Sequence, residues 1–183
     1  MGFDKNKLKV LGISINDKLS NHFTLKEMLV SETASREGID NTPLKHEVEA
    51  LRQLCVNVLE PLRSGLRLKF NNNSVLLITS GYRGKKLNTA IKGSKTSQHV
   101  SGEAADFHMW GINLFDVFKY IVCESGIEFD QCIWEFDNWI HISYKHNQPN
   151  RNEVLSVVKV GNKNVWHAHT QQSLKELESE EEL

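Results

Sequence analysis

The sequence is poor in the residues and patterns that mark several large classes of protein. It has 3 prolines and 11 glycines among 183 residues, too few for a collagen-like or low-complexity chain. No apolar run approaches the length of a membrane-spanning helix, so we expect no membrane span. A formal net charge of −1 argues against a dedicated nucleic-acid binder, which would be basic. These absences leave a globular protein.

Cysteine is also scarce. Cys55, Cys123 and Cys132 are odd in number, far apart and without a CxxC pattern, so the sequence predicts reduced cysteines and no disulfide framework. The N-terminal residues contain no long apolar stretch followed by a small-residue cleavage site. We therefore expect no secretory signal and synthesis in a cytoplasm.

The length of the chain suits one domain with tails. A chain of this size buries about 70% of its surface on folding, enough for one core. Charge is uneven: residues 174–183 hold five glutamates and one lysine, whereas the rest carries 21 positive and 18 negative side chains. We expect an N-terminal extension at residues 1–21, a domain at residues 22–168 and an acidic tail at residues 169–183. The mildly positive body would suit an anionic polymer.

Helical signals come early in the chain and strand signals mostly later. The triplet Asn41-Thr42-Pro43 predicts the start of a helix, which Pro61 ends or kinks. An apolar stripe recurs at helical spacing after it. Short β-branched or alternating runs predict strands; they lie at residues 75–79, 104–108 and 129–144. The order predicts an α+β domain, mainly antiparallel in its sheet, with flanking helices.

Three side chains in two segments have the chemistry of a zinc site. His99 and Asp106 lie seven residues apart in Ser97-x-His99-x-x-Gly102-x-Ala104-x-Asp106, across a loop and the strand that follows. Imidazole and carboxylate both bind zinc, and a catalytic site needs a third ligand and an open position. His141, on a predicted strand, supplies that third ligand.

The register of the predicted hairpin decides which carboxylate lies beside His141. A two-residue turn at Asp137 and Asn138 would place Trp134 opposite His141 and turn Glu135 to the wrong face. A three-residue loop over residues 137–139 instead makes two apolar core pairs. These pairs are Phe136 with Ile140 and Trp134 with Ile142.

The three-residue loop is favoured because the core pattern prefers it, and it places Glu135 directly opposite His141. A carboxylate there can take a proton from the attacking water and deliver it to a leaving amine. Arg83, in Thr79-Ser80-Gly81-Tyr82-Arg83 after a buried strand, can aim a fixed positive charge at a substrate carbonyl, a carboxylate or the oxyanion formed later.

Taken together, the segments SGYR, SQHVSGEAADF and WIHISY resemble the zinc D-Ala-D-Ala carboxypeptidase family of peptidoglycan peptidases. The resemblance runs from about His22 to about Trp166, and the opening HFTLKEMLVSETASREGIDNTP is similar to the branch found in bacteriophages and their hosts. The family includes phage endolysins and vancomycin-resistance dipeptidases. It shares its zinc fold with the hedgehog signalling domain.

The resemblance implies a role for each matching residue. His99, Asp106 and His141 would be the zinc ligands, Arg83 the substrate-orienting and oxyanion-stabilising residue, and Ser97 a residue of the substrate rim. Several members place the catalytic glutamate three residues before the last zinc histidine, where this chain has Asn138. The hedgehog-like variant has it six residues before, which here is Glu135. Asp137 is the reserve candidate.

Two hypotheses of function follow. In the first, the chain is a zinc metallopeptidase, expected to be a monomer, that cleaves peptidoglycan stem peptides as a D,D-carboxypeptidase or as an endopeptidase of endolysin type. The resemblance implies action on the bacterial cell wall and a phage-encoded enzyme that waits for a holin or is packaged in the virion. In the second, the same fold is a non-catalytic, zinc-containing module, such as a phage structural component, that binds the wall or a protein.

Overall fold

A computed structural model describes residues 2–71 and 75–181, with side chains described as far as residue 176. Eight α-helices and six strands are present in these residues. The helices are α1 Lys5–Val10, α2 Leu25–Leu29, α3 Glu32–Glu37, α4 Lys45–Leu54, α5 Glu60–Lys69, α6 Lys85–Ala90, α7 Leu114–Cys123 and α8 Gln171–Glu181. The strands are β1 Leu76–Ser80, β2 Ala104–Met109, β3 Gln131–Glu135, β4 Trp139–Ser143, β5 Glu153–Val160 and β6 Lys163–His169.

The six strands form one sheet in the order β1-β2-β4-β3-β5-β6. All neighbouring strands are antiparallel except β3 and β5, which run parallel. One face of the sheet packs on the helices; among its fully buried side chains are Phe107, Cys132, Ile140 and Ile142. The α+β class with a mainly antiparallel sheet and flanking helices is therefore confirmed. The other face carries the candidate site.

The long helical stretch passes through its proline instead of ending there. A π-helical turn at Cys55–Leu59 joins α4 to α5, and the Glu60 amide donates to the Cys55 carbonyl. Pro61 is the second residue of α5 and lies just after the π-helical turn, which is an irregularity in the helical hydrogen-bond pattern. Of the two predicted alternatives, that Pro61 ends or kinks the helix, the first was therefore wrong, because the chain stays helical to Lys69.

The register of the β3–β4 hairpin differs from the predicted one by two residues. Glu135 pairs with Trp139, and Ile133 lies opposite His141. Phe136 does not form a core pair but begins the turn, with a left-handed φ of 56°. A shift of two residues keeps every side chain on its predicted face, so apolar alternation alone does not distinguish these registers. Glu135 still shares the face of His141, one diagonal position away.

Both ends of the chain contribute to the same hydrophobic core. Phe3, Leu8 and Leu19 are buried within the segment predicted as an N-terminal extension. Leu174 in α8 is fully buried within the predicted acidic tail, whose last two residues lie outside the described part of the chain. Among the described helices, none combines the length and apolarity needed to cross a bilayer.

Candidate active site

His99 is held in a short 3₁₀ turn, Gln98–Ser101, that ends at Gly102. Gly102 has a left-handed φ of +74°, and a Cβ at this position would lie 2.5 Å from the carbonyl oxygen of Glu47. Only glycine fits both requirements. The His99 ring is completely buried, and its Nδ1 lies 2.6 Å from the Gly81 carbonyl oxygen. Because a carbonyl oxygen only accepts, Nδ1 carries the proton and Nε2 is left with a lone pair.

Asp106 and His141 are direct partners on the paired strands β2 and β4. Their side chains therefore project from the same face of the sheet, toward the ring of His99. Asp106 Oδ1 lies 2.8 Å from His141 Nδ1 and 3.1 Å from His99 Nε2, and the two ring nitrogens are 3.1 Å apart. Residues from three elements thus bring three potential ligand atoms to one point.

The electrostatics of the cluster favour the metal-binding protonation states of His99 and Asp106. Burial lowers the pKa of His99 below its usual value, and the carboxylate of Asp106 opposes the shift only in part. Burial would raise the pKa of Asp106, but the contacts with His99 and His141 outweigh it and hold that pKa well below its usual range. A neutral imidazole and an ionised carboxylate are the protonation states that bind a metal.

The geometry of the three ligand atoms fits zinc. Ligand atoms around a tetrahedral zinc, with bonds of about 2.0–2.2 Å, lie roughly 3.3–3.6 Å from one another. The observed separations of 2.8–3.1 Å are close to this spacing. Gly81 orients His99 through the ring nitrogen that faces away from the cluster, as carbonyl groups do for zinc-bound histidines. The donor set of two imidazoles and one carboxylate leaves room for a further ligand.

Residues 21–143 match the family model described as Peptidase M15. This range covers about two thirds of the chain and contains all three members of the cluster. The chain belongs to the Peptidase M15 family, the zinc D-Ala-D-Ala carboxypeptidase type. Among the curated proteins compared, none matches it. Membership of a generally zinc-dependent family agrees with the donor chemistry of the cluster.

Arg83 extends the site of this M15 peptidase from the loop after β1. One guanidinium nitrogen, Nη1, lies 3.8 Å from Asp106 Oδ2, and Nη2 donates to Ser97 Oγ at 3.3 Å. The backbone amide of Arg83 donates to the His99 carbonyl at 3.1 Å. Burial lowers the pKa of Arg83, and the charges of Asp106 and Glu135 oppose the shift. A permanently charged donor is therefore fixed beside the cluster.

Glu135 lines the same cleft, which has a volume of about 450 Å³ and also contains Arg83, Ser97 and His141. Burial and the charge of Asp106 raise the pKa of Glu135, whereas His141, Arg83 and a hydrogen bond with Trp139 lower it. The net direction is upward. Asp137, by contrast, is exposed in the hairpin turn and lines a separate hollow. Of the seven residues singled out in the sequence, Arg83, Ser97, Glu135 and His141 line the cleft, His99 and Asp106 contact His141 beside it, and Asp137 lies apart.

Several supporting residues were missed by sequence reasoning. The Gly81 carbonyl has no side chain to draw attention to it, although its position directly after a predicted strand was a usable signal. Gln98 donates to Asp130 at 3.0 Å, which fixes the 3₁₀ turn to the start of β3. Asp130 is fully buried and also bonded to Arg151 at 3.0 Å through Nε. Nothing in the local sequence distinguishes this aspartate from a surface one.

Proposed function

We propose that this M15 peptidase hydrolyses a peptide bond in peptidoglycan stem peptides and that it depends on zinc bound by His99, Asp106 and His141. The observation that carries the proposal is the convergence of these three ligand atoms beside a cleft that also holds a carboxylate and a partly buried guanidinium. A zinc ion supplies Lewis acidity there, polarising a carbonyl and making water more acidic.

Glu135 is proposed as the general base and acid. It takes a proton from the attacking water and passes that proton to the departing amine. Its place in the cleft beside His141 and its raised pKa support this role, since a base works best with a pKa nearer the operating pH. The exposure of Asp137 and its separate hollow support Glu135 over the reserve candidate.

Arg83 is proposed to orient the substrate and to stabilise the oxyanion. Its contacts with Asp106 and Ser97 hold the guanidinium in place before substrate arrives, so little reorganisation is needed when negative charge develops. Ser97, on the rim of the same cleft, is proposed as a substrate contact. The enzyme is proposed to act as a monomer on the bacterial cell wall, as a D,D-carboxypeptidase or an endopeptidase of a phage.

The test separates the metal site from the base. Replacing His99 or Asp106 with Ala is expected to remove bound zinc and activity together, measured by elemental analysis and by mass spectrometry of muropeptide digests. Glu135→Gln is expected to retain zinc and to lower kcat by ~10²–10⁴-fold. Asp137→Asn, the matched control in the same hairpin, is expected to stay near the wild-type rate.

Three outcomes would overturn parts of the proposal. Cleavage that persists in the zinc-free variants would refute the zinc mechanism. A near wild-type rate for Glu135→Gln, with loss in Asp137→Asn, would move the role of base to Asp137. Tight zinc binding with no product from any muropeptide would favour the non-catalytic binding module. The mass of each product also identifies the bond that is cut.

A further inference from the structure

A row of side chains crosses the sheet from the metal-ligand cluster to its last strand. Asp106 pairs with His141, which lies opposite Ile133 on β3. Ile133 pairs with Leu155 on β5, and Leu155 with Ala168 on β6. Because paired residues project from the same face, the row continues the face of the cluster without interruption. Beyond His141 its three members are all apolar.

Trp166 forms a wall beside this row. It lines the same cleft as Ile133 and Leu155, yet 54% of its surface is exposed in the middle of β6. It pairs with Val157, which in turn pairs with Glu135, so the tryptophan lies in the row next to the apolar one. An exposed tryptophan that opens into a cleft beside reactive groups has surface available for a ligand.

The dimensions of the row suit an extended peptide. Neighbouring strands are about 4.8 Å apart, so three strand intervals from His141 to Ala168 span roughly 14 Å. An extended chain rises about 3.3 Å per residue, so roughly four residues fit this length. β5 and β6 follow the matched range, which ends at residue 143, so Leu155 and Trp166 lie outside the part of the chain that matches the family model.

We propose that Ile133, Leu155, Ala168 and Trp166, here called the β6 groove, bind about three to four extended residues of the substrate through apolar contacts. The proposal rests on the proposed function and names the substrate class more closely: a peptide that continues well beyond the cleaved bond. The groove begins beside the metal ligand His141, so a substrate peptide that is bound at the metal ligands and extends across β3 enters it. This continuity identifies the ligand of the groove as the substrate peptide.

The test compares peptides of different length. Trp166→Ala is expected to raise KM about tenfold for a stem pentapeptide, since burial of part of an indole is lost, and to leave kcat within about twofold. A dipeptide substrate, too short to enter the groove, is expected to show no change. Trp110→Ala is the matched control, because Trp110 is 67% exposed and lies outside the cleft.

A binding measurement distinguishes failure of the groove from failure of the proposed function. In the Glu135→Gln background, calorimetry is expected to show about tenfold weaker pentapeptide binding when Trp166→Ala is added. Unchanged binding, or an equal loss for dipeptide and pentapeptide, would overturn the groove. If the wild-type protein cleaves no peptide but Trp166→Ala still weakens pentapeptide binding, the proposed peptidase activity is refuted and the proposed groove is supported.

A second, independent observation concerns Asn41, which is completely buried. Its Nδ2 donates to the Tyr82 carbonyl at 3.0 Å, and its Oδ1 accepts from the Gly84 amide at 2.7 Å. These bonds attach to the residues directly before and after Arg83. The backbone amide of Asn41 also donates to the Gly2 carbonyl at 2.7 Å, which anchors the asparagine itself.

We infer that Asn41 is a positioning residue for Arg83. Both polar atoms of its side-chain amide form hydrogen bonds with the backbone on either side of Arg83. The Asn41 side chain therefore fixes the backbone from which the guanidinium group extends. A further hydrogen bond of that loop, from the Arg83 amide to the His99 carbonyl, joins it to the metal-ligand turn. The inference rests on the proposed role of Arg83 and adds that the buried side chain of Asn41 holds that arginine in position.

The test is a double-mutant cycle. Asn41→Asp replaces the Nδ2 donor with an oxygen that faces the Tyr82 carbonyl, and we expect kcat/KM to fall about 10–100-fold with zinc content unchanged. If Asn41 acts through Arg83, the same change in an Arg83→Ala background lowers kcat/KM no further. Asn113→Ala, which removes the N-terminal cap of α7 instead, is the control for a general loss of stability and is expected to keep kcat/KM.

The outcomes are again distinguishable. Equal loss in both backgrounds would show that Asn41 acts on the fold or on zinc and would overturn the inference, as would an unchanged rate for Asn41→Asp. Should that variant fail to fold, Asn41→Ala removes both hydrogen bonds without adding charge and serves in the same cycle. Full activity of Arg83→Ala alone would refute the proposed role of the arginine.

Discussion

Gly102 offers a direct test of how tightly the metal-ligand turn is built. Its φ of +74° is in the left-handed region, and an added Cβ would lie 2.5 Å from the backbone oxygen of Glu47 and 3.3 Å from Leu51 Cγ. The first of these atoms belongs to helix α4 and moves only with its backbone. Gly102→Ala therefore combines a strained backbone with a collision.

The two costs can be estimated separately. A left-handed conformation costs an alanine roughly 1–2 kcal/mol. Forcing a methyl group into filled space costs typically 1–3 kcal/mol more. Gly102→Ala is then expected to lower the free energy of unfolding by about 2–5 kcal/mol. Gly126→Ala is the matched control, because Gly126 has a φ of +65° and no atom within 4 Å of the added Cβ, and should cost only the first part.

Urea unfolding of both variants in the presence of a chelator measures these free energies without a contribution from zinc. Zinc titration then measures the effect on the site. Because the Gly102 amide donates to the His99 carbonyl, a displaced Gly102 should also displace His99 and weaken zinc binding. Equal stability of Gly102→Ala and Gly126→Ala, with unchanged zinc affinity, would refute the reasoning.

Two further predictions concern parts of the chain away from the cleft. Burial would raise the pKa of Asp130, but hydrogen bonds and charge from Arg151 hold it below its usual value. The ionised carboxylate contributes its full stabilisation above the unfolded-state pKa of about 3.9, and that contribution is lost as the pH falls through the lower folded-state pKa. Asp130→Asn should therefore lose less stability than wild type between pH 6 and pH 3, as measured by urea unfolding. Equal losses in the two proteins would contradict this prediction. Deleting residues 174–183 should leave zinc binding intact but lower the free energy of unfolding by about 2–4 kcal/mol, because Leu174 is fully buried. Undiminished stability in thermal unfolding would contradict that estimate.

The metal-ligand cluster was accessible from the sequence because its spacing is local. His99 and Asp106 lie on either side of one turn, and His141 alternates with two buried isoleucines on a short strand. Such patterns depend on chain geometry over a few residues, which single-sequence reasoning handles well. The same holds for strands β1 to β4, whose runs of apolar residues predicted them to within about a residue or two.

The helix boundaries were predicted less well, because tertiary contacts override the local sequence signals for helix starts and ends. Asn41 and Pro43 resemble the start of a helix, yet α4 begins at Lys45. The Asn41 amide is bonded to the loop around Arg83, so it does not cap α4. No local signal reveals a partner 41 residues away. Pro61 is similar, because a π-helical turn precedes it and the helix continues beyond it, and the local sequence gives no signal for that turn.

The register of the β3–β4 hairpin is another feature that the local sequence does not determine. Periodicity of two fixes which face each side chain occupies, so Glu135 was placed correctly on the face of His141. The partner along the strand depends on the turn, and a left-handed φ at Phe136, which is uncommon for an aromatic residue, is not predictable from local sequence. The consequence is chemical. With Ile133 opposite His141, the space next to the metal ligands is apolar, and Glu135 reaches the cleft from the diagonal position. A register two residues away would have put the carboxylate in the apolar row and left no continuous floor for a peptide.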